Sequence, residues 1–334
     1  MLARFLRSRR GALGLLAALS LVLAATASAQ ETTAAYPTRP VRLLVGFPAG
    51  SALDLMARPL AQKLSEQLGQ PVTVDNRPGA NGALATEAVA HAAADGYAVL
   101  LGTPGQTIIY PLLRRDLPFD VGRDLRPVAS VMQPIGVVAV PAELPVRSFA
   151  ELVALAQARP GQLAMGSAGS GDPAHLAFEL LKRQMGLDIL HVPYRGSGLA
   201  LQDMLGGRIQ MMIAPYIVLK ASAEAGRVRV LAVTTAGRAP VLPEVPTVAE
   251  ASGPSNFEFA SAIGLYVAAA TPRGVVARLE AATAQAVQEA DLARTYAEQG
   301  VVPAFSGGDQ FAAWLVRERE KWSRIIREAN ISLD

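Results

Sequence analysis

Short apolar strands alternate with amphipathic helices along most of this chain. Val41–Val45 has the composition of a buried strand, Ala52–Leu68 carries leucine and methionine at helical spacing, and Tyr97–Leu101 follows as another apolar strand. Strands that are joined through helices pair in parallel, with the helices packed on the faces of the sheet. The alternation therefore predicts an α/β architecture.

The same alternation begins a second time at Val137–Val140 and continues through strands predicted at Ile189–Val192 and Val228–Val233. A chain of 334 residues is longer than one hydrophobic core usually serves. We therefore expect two lobes of similar size, each a mainly parallel sheet covered by helices.

The helices after residue 254 have few accompanying strands, so they are expected to fold back onto the first lobe. This assigns residues 37–133 and 256–334 to lobe 1, and residues 134–255 to lobe 2. The chain then crosses between the lobes near 130–135 and near 254–262. Two crossings predict a hinge with a cleft between the lobes.

Residues 1–29 have the pattern of a secretory signal peptide. Four arginines precede the apolar run Ala12–Ala25, and Ala27-Ser28-Ala29 offers small residues for cleavage. The run is shorter than the roughly 20 apolar residues that a membrane span requires. We expect cleavage after Ala29 and a mature protein in the periplasm.

Composition argues against several classes of partner. The net charge of +3 falls to −1 when the four arginines of the signal are removed, which leaves no basic surface for nucleic acid. The chain has no cysteine and three histidines, so disulfides, thiolate metal sites and histidine-rich metal sites are not expected. We expect a monomer without cofactor or metal.

Two strand–turn–helix segments, one in each lobe, have the composition of an anion site. They are Phe47-Pro48-Ala49-Gly50-Ser51, and Ser167-Ala168-Gly169-Ser170-Gly171 before a helix that begins at Pro173. The first turn of a helix exposes unpaired N–H groups and a partial positive charge, which together can hold a carboxylate. Because ligands of such sheets lie beyond the carboxyl ends of the strands, both turns are expected to face the cleft.

Three further polar residues are candidates beside these turns. Thr103 and Gln106 follow the third predicted strand and can face the same cleft. Arg195 can pair with a carboxylate through two parallel hydrogen bonds. Structural alternatives stay open, because capped turns, polar loops and solvated loop arginines are common in proteins that bind nothing there.

Ser170 with Asp172 and His175 also suggests an exported serine hydrolase. A nucleophile requires a base within hydrogen-bonding reach and a third group that orients this base. Ser170 does not lie in a G-x-S-x-G elbow. We therefore expect no enzymatic activity, and the hydrolase is the least favoured alternative.

Seven motifs in series resemble the Bug-type substrate-binding proteins of tripartite tricarboxylate transporters. The resemblance implies a two-lobed type II periplasmic-binding-protein (Venus flytrap) fold that closes on a small organic carboxylate. It also implies that the two turns hold one carboxylate and that Thr103 lies in a third contributing loop. The motifs are Tyr36–Arg42, Phe47–Gly50, Val74–Ala80, Ala94–Tyr97, Ser167–Gly171, His191–Ser197 and Leu242–Val248.

The chain departs from the family pattern at its expected site. Ser51 stands where the family usually has glycine, which adds a hydroxyl to the first turn. Ala214 and Pro215 stand where many members have Asp and Asn after an apolar strand. Because that acid can bind a ligand amino group, its absence argues against an amino-acid ligand and makes Ala214 and Pro215 candidate specificity residues.

The resemblance implies an extracytoplasmic solute-binding protein that delivers an organic acid to the membrane subunits of a transporter. A protein of this kind can instead present its ligand-closed form to a membrane sensor kinase. Both roles use the same cleft, so the sequence leaves this choice open.

Overall fold

The computed structural model describes residues 36–114, 116–255, 257 and 262–329, and its strands form two sheets. The predicted signal peptide, residues 1–29, lies outside the described residues. In chain order the strands are β1 (Val41–Val45), β2 (Val72–Asn76), β3 (Ala98–Gly102), β4 (Leu125–Pro134), β5 (Gly136–Pro141), β6 (Ala164–Ser167), β7 (Leu190–Pro193), β8 (Met211–Pro215), β9 (Val228–Val233), β10 (Ile263–Ala268) and β11 (Val301–Gly307).

Eleven α-helices, a 3₁₀ turn at Ala80–Gly82 and a π-helical turn at Gly105–Ile109 lie between or after these strands in the described residues. None of the described helices is both long and apolar enough to cross a membrane. The α-helices are α1 (Ala52–Leu68), α2 (Ala83–Ala90), α3 (Tyr110–Leu113), α4 (Val121–Asp124), α5 (Phe149–Ala158), α6 (Pro173–Met185), α7 (Ser197–Leu205), α8 (Tyr216–Glu224), α9 (Arg273–Gln288), α10 (Ala290–Glu298) and α11 (Gly308–Ala329).

The fold is the expected two-lobed α/β architecture, but its sheets are mixed and not mainly parallel. The first sheet has the order β11-β4-β10-β3-β1-β2, and the second has the order β7-β6-β8-β5-β9. β1 pairs in parallel with β2 and β3, and β6 with β7 and β8, whereas β10 and β5 run antiparallel to their neighbours. β5 enters the second sheet directly from β4 of the first sheet and not through a helix, so the rule for helix-linked strands does not apply to its pairs with β8 and β9.

Ile135 is the one residue between β4 of the first lobe and β5 of the second lobe. Its N–H donates to the carbonyl of Gly300 (2.8 Å), and its own carbonyl accepts from the N–H of Tyr216 (2.8 Å). Gly300 precedes a strand of the first sheet and Tyr216 follows a strand of the second. This crossing is therefore bonded to both lobes, as a hinge position requires.

Part of the predicted second crossing, at 256 and 258–261, lies outside the described residues. By Ile263 the chain has returned to the first sheet. The last helix, α11, contacts both lobes, since Phe311 packs beneath the first sheet and Trp322 joins the core of the second lobe. The proposed residue bounds of the two lobes stay a prediction.

The turn before α1 is fixed by Asp54. The N–H of Asp54 donates to Ser51 Oγ (3.4 Å), and its carboxylate accepts from the N–H of Gly50 (2.9 Å) and from the guanidinium of Arg58 (2.9 Å). Burial raises the pKa of Asp54, but the hydrogen bonds from Arg58, Gly50 and Asn76 outweigh burial and hold this pKa below its ordinary value. An ionised carboxylate therefore braces the first-lobe turn.

Tyr296 joins α10 to α1 through its hydroxyl, which donates to the carbonyl of Met56 (2.7 Å) inside the first-lobe core. Replacing Tyr296 with Phe removes this donor while keeping the ring. We expect Tyr296→Phe to lower the free energy of unfolding by about 1 kcal/mol, measured by urea titration. The matched control is Tyr110→Phe, at a half-buried ring, which should keep the wild-type stability. Equal free energies of unfolding in the two variants would contradict the expectation.

Candidate ligand-binding site

A cavity lies between the two sheets, where the carboxyl ends of strands from both lobes meet. First-lobe residues of the turn before α1 and second-lobe residues of the turns before α6 and α7 contribute to its wall. The lining residues are Phe47, Ser51, Ala52, Leu53, Met56, Thr103, Pro134, Gly136, Ala168, Asp172, Pro173, Ala174, Gly196, Ser197, Ile213, Pro215 and Ile263.

Five residues predicted from the sequence come together in this wall: Phe47, Ser51, Thr103, Ala168 and Pro215. Others lie in the same turns or strands without forming part of the wall. These are Pro48, Ala49, Gly50, Gln106, Ser167, Gly169, Ser170, Gly171 and Ala214.

Gln106 has a structural role inside the first lobe. Its amide group donates to the carbonyl of Gly82 (3.3 Å) and to Thr86 Oγ1 (3.2 Å), and it accepts from the N–H of Thr103 (3.2 Å). The side chain is fully buried. We therefore expect Gln106 to hold the loop that presents Thr103, and not to contact a ligand.

The second-lobe turn is supported by two stacked histidines. Ser167 Oγ is hydrogen-bonded to His191 Nε2 (2.7 Å), the rings of His191 and His175 stack with centroids 3.8 Å apart, and His175 Nδ1 accepts from the N–H of Gly171 (3.1 Å). Burial lowers the pKa of His191 to about 3, with smaller contributions from His175 and Lys182, and burial also lowers the pKa of His175. Two neutral imidazoles thus fix the turn.

The N-terminus of α6 carries its own anion. Asp172 Oδ1 accepts from the N–H groups of Ala174 and His175 (3.2 Å to His175), and the Asp172 carbonyl accepts from Leu176 N–H (3.2 Å). Pro173 has no N–H to offer. The N–H groups in the first turn of α6 are therefore already occupied, and a carboxylate site in the turn Ser167–Gly171 stays a prediction that depends on the other N–H and hydroxyl groups of that turn.

Asp172 is itself part of the cavity wall and only 4 % exposed. Burial raises the pKa of this carboxyl to about 6, although N–H groups of Ala174, His175, Ala168 and Gly169 favour its ionised form. Its Oδ2 atom has no hydrogen-bond partner in the described part of the chain.

Free N–H groups are found instead at α1 and α7. Among the described residues, the backbone N–H groups of Ala52 and Leu53 in α1, and of Ser197 and Gly198 in α7, have no hydrogen-bond partner. Ala52, Leu53 and Ser197 line the cavity. Two helix ends with partial positive charge, one from each lobe, therefore meet at this cavity.

Sequence reasoning missed α7 as a part of the site. The sequence signal for it is the pair Gly196-Ser197 directly before an apolar helix, whereas the prediction for this loop names only Arg195 as a ligand contact. Arg195 is exposed and does not line the cavity. The backbone after it, and not its guanidinium, reaches the site.

The rest of the wall is mostly apolar, and its largest aliphatic contributors are Leu53, Met56, Ile213 and Ile263. Asp172 is the one ionisable side chain in the described wall, which has no Lys or Arg. An anion in this cavity is therefore held by neutral N–H and hydroxyl donors, while apolar side chains surround the body of the ligand.

The two lobes touch around the cavity. A Cβ built on Gly105 of the first lobe would lie 2.6 Å from Cδ of Pro173 in the second, and one built on Gly196 would lie 3.8 Å from Cδ of Pro48. Such distances leave no solvent layer between the lobes at these points. The structure is a closed arrangement.

Ser170 and His175 do not form a nucleophile–base pair. Ser170 is exposed, and within the described residues it shares no hydrogen bond with His175, whose Nδ1 is occupied by Gly171. Asp172 caps α6 and does not orient the imidazole. The geometry that a serine hydrolase requires is absent from this turn.

Comparisons with known proteins agree on one family. A model of the tripartite tricarboxylate transporter family receptor matches residues 56–331. BugT of Bordetella pertussis is 34 % identical over 96 % of this chain and 98 % of its own length. An R. palustris protein with adipate superposes with a TM-score of 0.86 at 35 % identity, covering 89 % of this chain and 99 % of that one. MatC from Rhodopseudomonas palustris, with bound malate, gives 0.80 at 28 % identity over 87 % and 100 %.

Proposed function

Because the chain belongs to the tripartite tricarboxylate transporter family of receptors, it is a periplasmic solute-binding protein and not an enzyme, and we propose that its ligand is a small organic carboxylate held between the lobes. The serine-hydrolase alternative is wrong, since the family consists of binding proteins. Transfer of the ligand to membrane subunits of a transporter is part of the proposal and rests on the family. No observation favours the sensor-kinase role.

The observation that carries the proposal is the meeting of two sets of N–H donors at one cavity, none of which has a partner among the described residues. Ala52 and Leu53 belong to the first lobe and Ser197 to the second, so an anion bound by both helices would hold the lobes together. The related proteins with adipate and with malate have carboxylate ligands, which supports the same chemistry here.

The direct test is a thermal-shift screen of the mature protein against mono-, di- and tricarboxylates and aromatic acids. Protein that has been unfolded and refolded is used, so that a ligand retained during purification cannot hide binding. A ligand at about 100 times its Kd should stabilise the protein by about 2.7 kcal/mol. Absence of a shift with every carboxylate would contradict the proposal.

The proposed donors are tested by Ala52→Pro, which removes one N–H at the first position of α1. Proline is tolerated there, and Ser51 before it already has the extended backbone that proline requires (φ −70°, ψ 163°). Loss of a hydrogen bond to a charged group should weaken carboxylate binding about 10-fold or more, measured by calorimetry.

The matched control is Ala290→Pro, at the first position of α10. The residue before it, Glu289, is likewise extended (φ −63°, ψ 125°), and Ala290 does not line the cavity. This variant should bind as the wild type does. Equal affinity of both variants would show that the α1 N-terminus does not hold the ligand.

A further inference from the structure

Asp172, a residue of the cavity wall, has one buried carboxylate oxygen without a hydrogen-bond partner among the described residues. Oδ1 is satisfied by two N–H groups of α6, whereas Oδ2 is buried and has no partner among the described residues. The side chain is 4 % exposed and lines the wall. A buried acceptor without a donor is costly, so this oxygen is a site at which a ligand group gains a hydrogen bond.

The chemistry of that partner follows from the charge of Asp172. With a pKa of about 6, the carboxyl is mostly ionised at pH 7.5 and above. An ionised carboxylate accepts hydrogen bonds and donates none. The hydroxyls of Ser51, Thr103 and Ser197 line the same cavity, yet none of them donates to Oδ2. The N–H groups of Ala168 and Gly169 favour the ionised form of the carboxyl, but neither makes a hydrogen bond with Oδ2. A donor on the ligand can therefore supply the missing hydrogen bond.

We propose that Asp172 selects carboxylates that carry a hydroxyl or an ammonium group beside the carboxylate, and that Oδ2 accepts a hydrogen bond from that group. This rests on the proposed function, since the carboxylate must first be held by the N–H groups of α1 and α7. Both helix ends and Asp172 line one cavity, so a donor on the adjacent carbon lies in the same enclosed space as this side chain. A bare carboxylate would bring a like charge and no donor.

Compounds that differ only in this substituent test the proposal. One set is succinate, L-malate and L-aspartate, and a second set with an apolar body is 3-phenylpropionate, phenyllactate and phenylalanine. Affinities are measured by calorimetry at pH 8 on refolded mature protein. We expect the hydroxyl or the ammonium member of a set to bind at least about 10-fold more tightly than the unsubstituted member.

Asp172→Asn tests the assignment to this oxygen. Asn also caps helices well through its amide oxygen. When that oxygen takes the place of Oδ1, an NH₂ donor takes the place of the Oδ2 acceptor, and when the amide is rotated the cap is lost. The preference for the substituted members should fall to about 2-fold or less. Asp172→Ser, which caps α6 with a shorter side chain, should lose the preference in the same way, so a folding defect in one variant does not decide the result.

Asp120→Asn is the matched control, because Asp120 caps α4 through the N–H of Arg123 (2.9 Å) and lies outside the cavity wall. It should keep the wild-type preference. If the ammonium member of a set binds most tightly, this result supports the role of Asp172. It would overturn the expectation, drawn from Ala214, that the ligand is not an amino acid.

Two results would overturn the inference, and they differ in what else they contradict. Carboxylate binding without any preference for the substituted members, or with a preference that survives in both Asp172 variants, removes the role of Asp172 and leaves the proposed function intact. Absence of binding by every carboxylate removes both.

Discussion

Gly105→Ala is expected to weaken ligand binding about 10- to 100-fold while leaving each lobe folded. The new Cβ would lie 2.6 Å from Cδ of Pro173 on the opposite lobe, well inside van der Waals contact, and 3.5 Å from Thr103 Oγ1 on its own lobe. The added methyl therefore crowds the contact between this turn and α6, where the lobes meet. Overpacking of this kind costs about 1–3 kcal/mol, which a closing ligand has to overcome.

The measurement is a calorimetric titration with the carboxylate that gives the largest shift in the screen. Gly237→Ala is the matched control, because a Cβ there meets no atom within 4 Å and the residue is exposed. If the contact between Gly105 and Pro173 forms only on closure, melting of the ligand-free Gly105→Ala protein should match the wild type. Wild-type affinity in this variant would mean that closure does not require the Gly105–Pro173 contact.

His191→Gln is expected to change how stability depends on pH. The native pKa of His191 is about 3 and the ordinary value is 6.5, so between these values the unfolded chain binds a proton that the native protein does not. Stability from this group is therefore present above pH 6.5 and is lost as the pH falls toward 3. The full shift corresponds to about 5 kcal/mol; since the ring is only partly buried, we expect about 2 kcal/mol between pH 7 and pH 4.

Gln stays neutral and can keep a hydrogen bond to Ser167. The variant should be less stable than the wild type at pH 7, because the stack with His175 is lost, and the difference should shrink by about 2 kcal/mol at pH 4. Asp172 affects stability in the opposite direction, since its raised pKa means that ionisation between about pH 4 and pH 6 destabilises the fold. Because Asp172 is present in both proteins, its contribution cancels in the difference.

Urea titrations at the two pH values measure this difference, with His91→Gln at an exposed imidazole as the matched control. A stability difference between His191→Gln and wild type that is the same at pH 7 and pH 4 would contradict the assignment of a neutral, stacked His191.

The elements that sequence spacing predicted well are those formed by local interactions. Ala52–Leu68 is a helix with Ser51 at its cap, and the parallel pairing of β1 with β2 and β3 follows from the helices that link them. β4 and β11 were not predicted, since their pairing joins residues that are far apart in the chain and each strand contains proline. Spacing carries no signal for such contacts.

The cavity wall was predictable only where polar turn residues marked it. Ile213 and Ile263 carry the same apolar signal as any core residue, and only the meeting of two sheets places them at the cavity. Asp172 was visible in the sequence as a neighbour of Ser170 and His175. Its role as a cap with one free oxygen depends on the path of the backbone into α6, which composition does not specify.

The α6 terminus is neutralised by its own carboxylate, whereas the carboxylate in the first turn of α1, Asp54, is itself paired with Arg58. The positive ends of α1 and α7 are therefore left to face each other across the cavity. Like charges at close range repel, and each helix end carries roughly half an elementary charge. A bound anion therefore serves as the counterion that makes contact between the lobes favourable. Without it, electrostatic repulsion favours separation of the lobes, so the charge of the ligand itself reports occupancy to any partner that recognises the closed form.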